Sequence, residues 1–172
     1  MSERHPNEDR LFALLEKLEI AHNTVEHEAV FTVEESQHIK SSLPGGHTKN
    51  LFLKDKAGQF VLICAISDTP VRLNKLHPHI GTKRLSFGKE DALFDNLGVR
   101  PGSVTFFSIL NDPNAQVRLV LDQALFDHDQ VWFHPLRNTA STQIASDDLT
   151  RFAEATNHPA LILNLTELAS ET

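Results

Sequence analysis

The sequence predicts one α/β domain of the α+β kind, a mixed and strongly curved sheet with helices packed round it. Three observations carry that expectation. Short apolar runs of strand length are interleaved irregularly with helical periodicities, without the strict alternation of a doubly wound sheet. The chain of 172 residues, 40% hydrophobic and 23% charged, is long enough to bury one core without disulfides or metals. Its Gly 7 and Pro 8 are too few for a collagenous or Pro-rich linker, and no repeat or low-complexity tract divides it.

Taken in order, Leu11, Leu14, Leu15 and Leu18 share one helical face, which predicts an amphipathic helix from about Glu8 to Ile20 with Asn7 as its N-cap. His22 to His27 reads as a short strand. Thr32-Val33-Glu34-Glu35 has the spacing of a capping box and starts a helix carrying Ile39 and Lys40, which Ser41-Ser42-Leu43-Pro44-Gly45-Gly46 ends. The apolar runs Asn50 to Asp55 and Gln59 to Ile66, joined by Lys56-Ala57-Gly58, predict a hairpin near the centre of the sheet. Leu73 to Ile80 is a weaker helix, interrupted by Pro78 and closed by Gly81. Gly88 to Leu97 is another helix, after which the turn Gly98-Val99-Arg100-Pro101-Gly102 leads into a strand from Ser103 to Leu110. Val117 to Leu121, Val131 to Phe133 and a stretch near Thr142 complete the middle strands. A helix from Asp147 to Thr156 capped by Ser146, and a last strand from Ala160 to Leu165, finish the chain.

Composition excludes several classes of function. The polar N-terminus has no apolar signal core, and no run approaches the roughly 18 apolar residues of a membrane helix, so a soluble, cytoplasmic protein without a membrane partner is expected. The single cysteine, Cys64, lies in the apolar run Phe60 to Ile66, which rules out an intrachain disulfide and fits a reducing compartment. A net charge of -7 argues against a general nucleic-acid coat and against DNA as partner. The charge is uneven, however: residues 40–100 hold ten Lys/Arg against five Asp/Glu, and the remainder six against eighteen. Either this is ordinary solvated charge, or one local face can meet phosphate.

Most catalytic signatures are absent: there is no Gly-x-Ser-x-Gly elbow, no phosphate-binding glycine loop and no His-Glu-x-x-His. His77-Pro78-His79 and Asp127-His128-Asp129 do not have zinc-site spacing, so neither metal nor cofactor is expected. Two stretches stand out. Pro44 to Asp55 delivers Lys49 and Asn50 from a glycine-rich turn to the start of an apolar strand. There a lysine is either a solvent-facing strand start or a rooted positive charge for a phosphate or a developing oxyanion. Phe133-His134-Pro135-Leu136-Arg137-Asn138-Thr139-Ala140-Ser141-Thr142 is dense in hydrogen-bonding side chains after a strand end, as turn chemistry or as a site loop.

Together with Arg84-Leu85-Ser86-Phe87-Gly88 and Leu97-Gly98-Val99-Arg100-Pro101-Gly102-Ser103-Val104-Thr105, these stretches resemble the YbaK/ProX superfamily of aminoacyl-tRNA editing domains, and within it the free-standing ProXp-ala (PrdX-type) branch. The order and spacing agree over about residues 8–165, so residues 1–172 are expected to be one editing domain of that fold. The resemblance implies hydrolysis of the ester joining an amino acid to the terminal adenosine of tRNA, with Ala-tRNA(Pro) as substrate. Its implied partners are the acceptor end of aminoacylated tRNA(Pro) and, in addition, prolyl-tRNA synthetase. Lys49 matches the lysine the family requires, Asn50 its neighbour at the substrate, and His134 the histidine of the pocket loop, near Asn138. Gly102 matches the glycine opening a Gly-x-x-x-Pro loop, although Phe106 stands where many relatives have proline.

An aminoacyl ester is already activated, so positioning water, holding the adenosine and stabilising an oxyanion suffice. Lys49 is the expected anchor for the phosphate or carbonyl, and N–H groups near Asn50 and Gly102-Ser103 are the expected neutral donors. Val30, Phe31 and Ile66 are candidate pocket walls that reject a side chain larger than alanine; each also reads as core, and for Ile66 core packing is the simpler reading. Lys54, Lys56, Lys83 and Arg84 are candidate phosphate contacts. The competing readings are deacylation of another substrate such as Cys-tRNA(Pro) by the same fold, and a non-catalytic module that binds tRNA or a synthetase.

Overall fold

A computed structural model describes residues 6–27 and 43–170. The capping box at Thr32, the helix through Ile39 and Lys40, and the candidate walls Val30 and Phe31 lie outside the described residues. Helix α1 spans Pro6–Lys17, so Asn7 lies inside the helix rather than at its cap. Strand β1 (His22–Glu26) follows, then β2 (Gly46–Asp55), β3 (Phe60–Ile66), α2 (Leu73–Ile80), β4 (Leu85–Phe87) and α3 (Glu90–Leu97). After them come β5 (Val117–Asp122), β6 (Gln130–Phe133), β7 (Ala140–Ala145), α4 (Leu149–Ala155), β8 (Leu161–Leu163) and α5 (Leu165–Ala169). The sheet is eight-stranded in the order β1-β7-β6-β2-β3-β5-β8, with β4 paired to β2. It is mixed, because β2 with β6, β3 with β5 and β5 with β8 run parallel while the other pairs are antiparallel. The expected hairpin β2–β3 sits at its centre.

Alternation along β2 and β3 divides two cores between the two faces. Phe52, Leu62 and Cys64 face α1, α3, α4 and a dense aromatic group, whereas Leu53, Val61 and Ile63 face α2 and α5 through Leu76, Ile80, Leu165 and Leu168. Burial on both faces pushes the Cys64 thiol well above its ordinary value, which leaves it an unreactive core side chain.

Three further sequence expectations are corrected. The strand expected from Asn50 begins at Gly46, so Lys49 lies within the strand rather than at its first residues. The strand expected from Ser103 to Leu110 is instead a 3₁₀ helix, Phe106–Asn111. Thr105 caps it by accepting the Phe107 N–H, and Ser108 Oγ donates to the Thr105 carbonyl at 2.5 Å. The helix lets adjacent Phe106 and Phe107 enter one core, each packing on both Phe133 and Phe152 with ring centroids 5.2–5.7 Å apart. A strand would have sent the two rings to opposite faces. Third, Ser146 does not cap the late helix; its hydroxyl donates to the His128 carbonyl, and a 3₁₀ turn, Ser146–Asp148, precedes α4. The interruption expected at Pro78 is absent, since α2 runs unbroken from Leu73 to Ile80 with Pro78 inside it, but the helix ends as expected at Gly81, whose φ of 80° is left-handed.

One glycine fixes the end of β4. A Cβ on Gly88 would lie 2.4 Å from the Phe52 ring, and the Gly88 N–H donates to the Phe52 carbonyl at 2.9 Å. We expect Gly88→Ala to cost about 1–3 kcal/mol, because ring and backbone must move apart in a filled core. A urea midpoint within error of the wild type would contradict that packing.

Candidate functional site

The candidate site lies where the sheet opens. On the edge of β2 away from β3, pairing to β6 covers only Gly46 and His47, and pairing to β4 covers only Leu53 to Asp55. Between them lies Thr48–Phe52, across a splay in the sheet. His47 accepts through its carbonyl from Ser67 on the β3 side, so the alternation of an antiparallel ladder turns the peptide groups of Thr48 and Asn50 the other way, Thr48 to the end of the β6 ladder and Asn50 to the splay beyond it. Where the β6 ladder stops, the Thr48 hydroxyl donates to the Trp132 carbonyl at 2.6 Å.

Lys49 faces the same side of the sheet as Leu51 and Leu53. Its Nζ donates to the Thr69 carbonyl at 2.5 Å. Thr69 is held in turn, since its hydroxyl donates at 2.6 Å to Asp122 Oδ2, which also accepts the Ile66 N–H. Asp122 is buried, and its other carboxylate oxygen accepts the Ala124 N–H. One Lys49 hydrogen therefore goes to a rigid turn, and an ammonium has three.

His134 follows β6. Continuing the Gly46–Val131 and His47–Trp132 register by two residues brings it level with Lys49 across the splay. Its Nδ1 lies 3.0 Å from the Ala140 carbonyl. A carbonyl only accepts, so Nδ1 carries the proton and, in the neutral ring, Nε2 has the free lone pair. Burial holds the His134 pKa below the ordinary 6.5, opposed by the Ala140 carbonyl and assisted by His27. The His27 ring is 6.3 Å away, and its Nε2 lies 2.9 Å from Ser141 Oγ.

Adjacent strand positions point to opposite faces, so the Asn50 side chain is on the other side of the sheet from Lys49. There its buried Oδ1 has no hydrogen-bond partner among the described residues. What Asn50 can present to the splay is its backbone N–H. Ile66 pairs with Thr48 and packs against the larger core. Gly102 adopts a left-handed φ of 92°, and the Ser103 N–H closes the turn onto the Arg100 carbonyl. Ser103 lines an open cleft of about 580 Å³ with Val99, Leu136 and Arg137; Lys49 and His134 are not among the residues lining it. Asn138 is half-buried in the loop after His134.

That loop is clamped by a residue sequence reasoning passed over. Arg137 Nε and Nη2 donate to Glu8 of α1 at 3.0–3.2 Å, Nη2 also reaches Glu26 of β1 at 3.0 Å, and Nη1 donates to Thr139. Thr69, Asp122 and His27 were likewise not singled out. His27 was open to detection as the last residue of an expected strand, but Asp122 reaches Thr69 and Ile66 across more than fifty positions, and Thr69 reaches Lys49 across 20. The turn before β2 is fixed at Pro44, whose carbonyl accepts from Trp132 Nε1 of β6 and Gln143 Nε2 of β7. A Cβ on Gly45, at φ 118°, would lie 3.1–3.2 Å from Gln130, Gln143 and Trp132.

Lys54, Lys56, Lys83 and Arg84 are all exposed and gather round one buried carboxylate. Asp55 accepts the N–H groups of Ala57 and Gln59 through Oδ1 and that of Lys83 through Oδ2, at 2.8–2.9 Å, which ties the β2–β3 turn to the start of β4. The Lys83 N–H, with those of Gln59, Ala57 and Gly58 against the effect of desolvation, holds the Asp55 pKa below its ordinary value. Among the described residues no cluster of three His, Cys, Asp or Glu side chains is placed to hold a metal, and no helix is long and apolar enough to cross a membrane.

Residues 27–152 match the family model of the aminoacyl-tRNA editing domain. The prolyl-tRNA synthetase associated domain-containing protein 1 of Danio rerio is 40% identical over 87% of this chain and 83% of its own length. The prolyl-tRNA editing protein ProX of Acetoanaerobium sticklandii is 36% identical over 84% of this chain and 89% of its own. A crystal structure proposed to be that of a trans-editing enzyme for prolyl tRNA synthetase superposes with a TM-score of 0.71 at 19% identity, over 95% of this chain and 98% of that one, and shows a shared fold.

Proposed function

We propose, from the fact that the chain belongs to the aminoacyl-tRNA editing domain family, that it is a deacylase that hydrolyses Ala-tRNA(Pro) in the cytoplasm. The observation that carries the reading is the splay itself. In this reading a rooted ammonium (Lys49), an in-plane peptide N–H (Asn50) and the unprotonated Nε2 of His134 act together at that opening, as the continued β2–β6 register supports.

In this mechanism water attacks the carbonyl carbon of the ester, the negative charge collects on the carbonyl oxygen, and the C–O bond to the ribose breaks. Lys49 and the Asn50 N–H stabilise the charge or hold the terminal phosphate, as preorganised donors in a partly dry site do. The Nε2 of His134 orients the water and accepts a hydrogen bond from it, with the vicinal ribose hydroxyl as a second guide. The leaving ribose oxygen takes up the proton, and free alanine and tRNA result. Asn138 and the Gly102-Ser103 turn shape the surroundings, and Lys54, Lys56, Lys83 and Arg84 meet acceptor-stem phosphates. Prolyl-tRNA synthetase is a further proposed partner, as the source of the mischarged tRNA.

Selection of alanine is tested by comparing the release of alanine, cysteine and proline from the same tRNA(Pro). Alanine should be released fastest and proline spared. Faster release of cysteine would reassign the substrate while leaving the chemistry in place.

The direction of the His134 shift gives a pH dependence. If the neutral ring is the working form, single-turnover rates should hold to below pH 6.5 and fall only as the lowered folded-state pKa is crossed. For stability the sign follows from linkage: the unfolded chain takes up this proton first, so the His134 contribution is lost as pH falls from about 6.5 toward the folded value. An acid limb centred above 6.5 would remove His134 from the role.

A further inference from the structure

Phe87 is the most exposed large apolar side chain among the described residues, at 67%. It pairs with Leu53 and so shares the sheet face of Lys49. Because β4 runs antiparallel to β2, from Leu85 opposite Asp55 to Phe87 opposite Leu53, Phe87 is the β4 residue nearest the splay. Leu53 is four positions along β2 from Lys49, a span of about 13 Å at the rise of a β-strand. His134 therefore stands on the β6 side of the opening and Phe87 on the β4 side. The position is rigid, because Gly88 closes directly onto the Phe52 ring and carbonyl. Three cations, Lys83, Arg84 and Lys89, are exposed on the segment that carries it, ahead of the exposed acidic pair Glu90 and Asp91 that opens α3.

An exposed ring held rigidly amid positive charge, on the face that carries the proposed chemistry, matches what unpaired nucleotides require. They stack their bases on aromatic side chains while cations follow the phosphates. We propose that Phe87 is the platform on which a base of the unpaired 3′ end of tRNA stacks, setting how far that strand reaches and so delivering the terminal ester to Lys49. This rests on the tRNA-deacylase reading and adds a positioning contact to it.

The test compares binding of intact tRNA(Pro) with binding of the same tRNA lacking its three unpaired 3′ nucleotides, for wild type, Phe87→Ala and Phe87→Trp. Wild type should prefer the intact tRNA. Phe87→Ala should weaken intact tRNA by about tenfold or more, as loss of one stacked base does, and leave the truncated tRNA unchanged. Phe87→Trp should keep the preference. A purely structural role would weaken both tRNAs alike and lower the thermal midpoint. Unchanged preference in Phe87→Ala, with wild type still deacylating, overturns the platform alone; a wild type that binds neither tRNA overturns the deacylase reading and the platform with it.

Discussion

Lys49→Ala is expected to lower the single-turnover rate of Ala-tRNA(Pro) deacylation by about 10²–10³-fold, the usual consequence of losing one preorganised donor to a developing oxyanion. The fold should survive, because among the described residues the side chain makes one hydrogen bond, to the Thr69 carbonyl, and belongs to neither core. Lys49→Arg should not restore the rate: the guanidinium is planar and longer, and the Thr69–Asp122 turn accepts an ammonium at 2.5 Å. An unfolded Lys49→Ala, seen by circular dichroism, would make the lysine structural. Near-normal rates in a folded variant would remove it from the chemistry.

The second large effect is on stability. Glu8 is 1% exposed, and its carboxylate is gripped by Arg137, which also holds Glu26 and Thr139. Arg137→Ala leaves that charge buried without its partner, and breaking a buried pair from one side costs about 3–5 kcal/mol. For a domain of this size that corresponds to a fall of roughly 6–20 °C in Tm. Arg137→Lys should recover only part, since a single ammonium cannot reproduce the fork. The His134 loop should loosen as well, so the residual activity of Arg137→Ala should fall even below its melting temperature. A Tm loss of under about 2 °C would show that water replaces the arginine.

Local patterns were legible in the sequence wherever one period or one turn residue decided the structure. The α1 stripe, the β2–β3 hairpin across Gly58 and the helix closed by Gly81 depend on neighbours in the chain. The Phe106–Asn111 turn was not legible, because its apolar run suits a strand equally well and only the aromatic partners Phe133 and Phe152 decide. The short β4 escaped for a similar reason, having three residues and one partner strand.

For the site, the Lys49 and His134 segments stood out by composition and by family resemblance. Their relation did not. It depends on β6 and β4 leaving β2 at different points, a property of the register between strands distant in sequence. The same register separates the side chains of Lys49 and Asn50 although the residues are adjacent. The Arg137–Glu8 clamp joins residues 129 positions apart and gave no local sign.

The central claim is catalytic, and the most direct measurement is the rate at which purified protein releases alanine from Ala-tRNA(Pro), set against the spontaneous rate and against Lys49→Ala. The account predicts release well above the spontaneous rate by the wild type and near that rate for the variant. Wild-type protein that binds the tRNA and leaves the ester to its spontaneous rate would contradict it, and would make the domain a binding module.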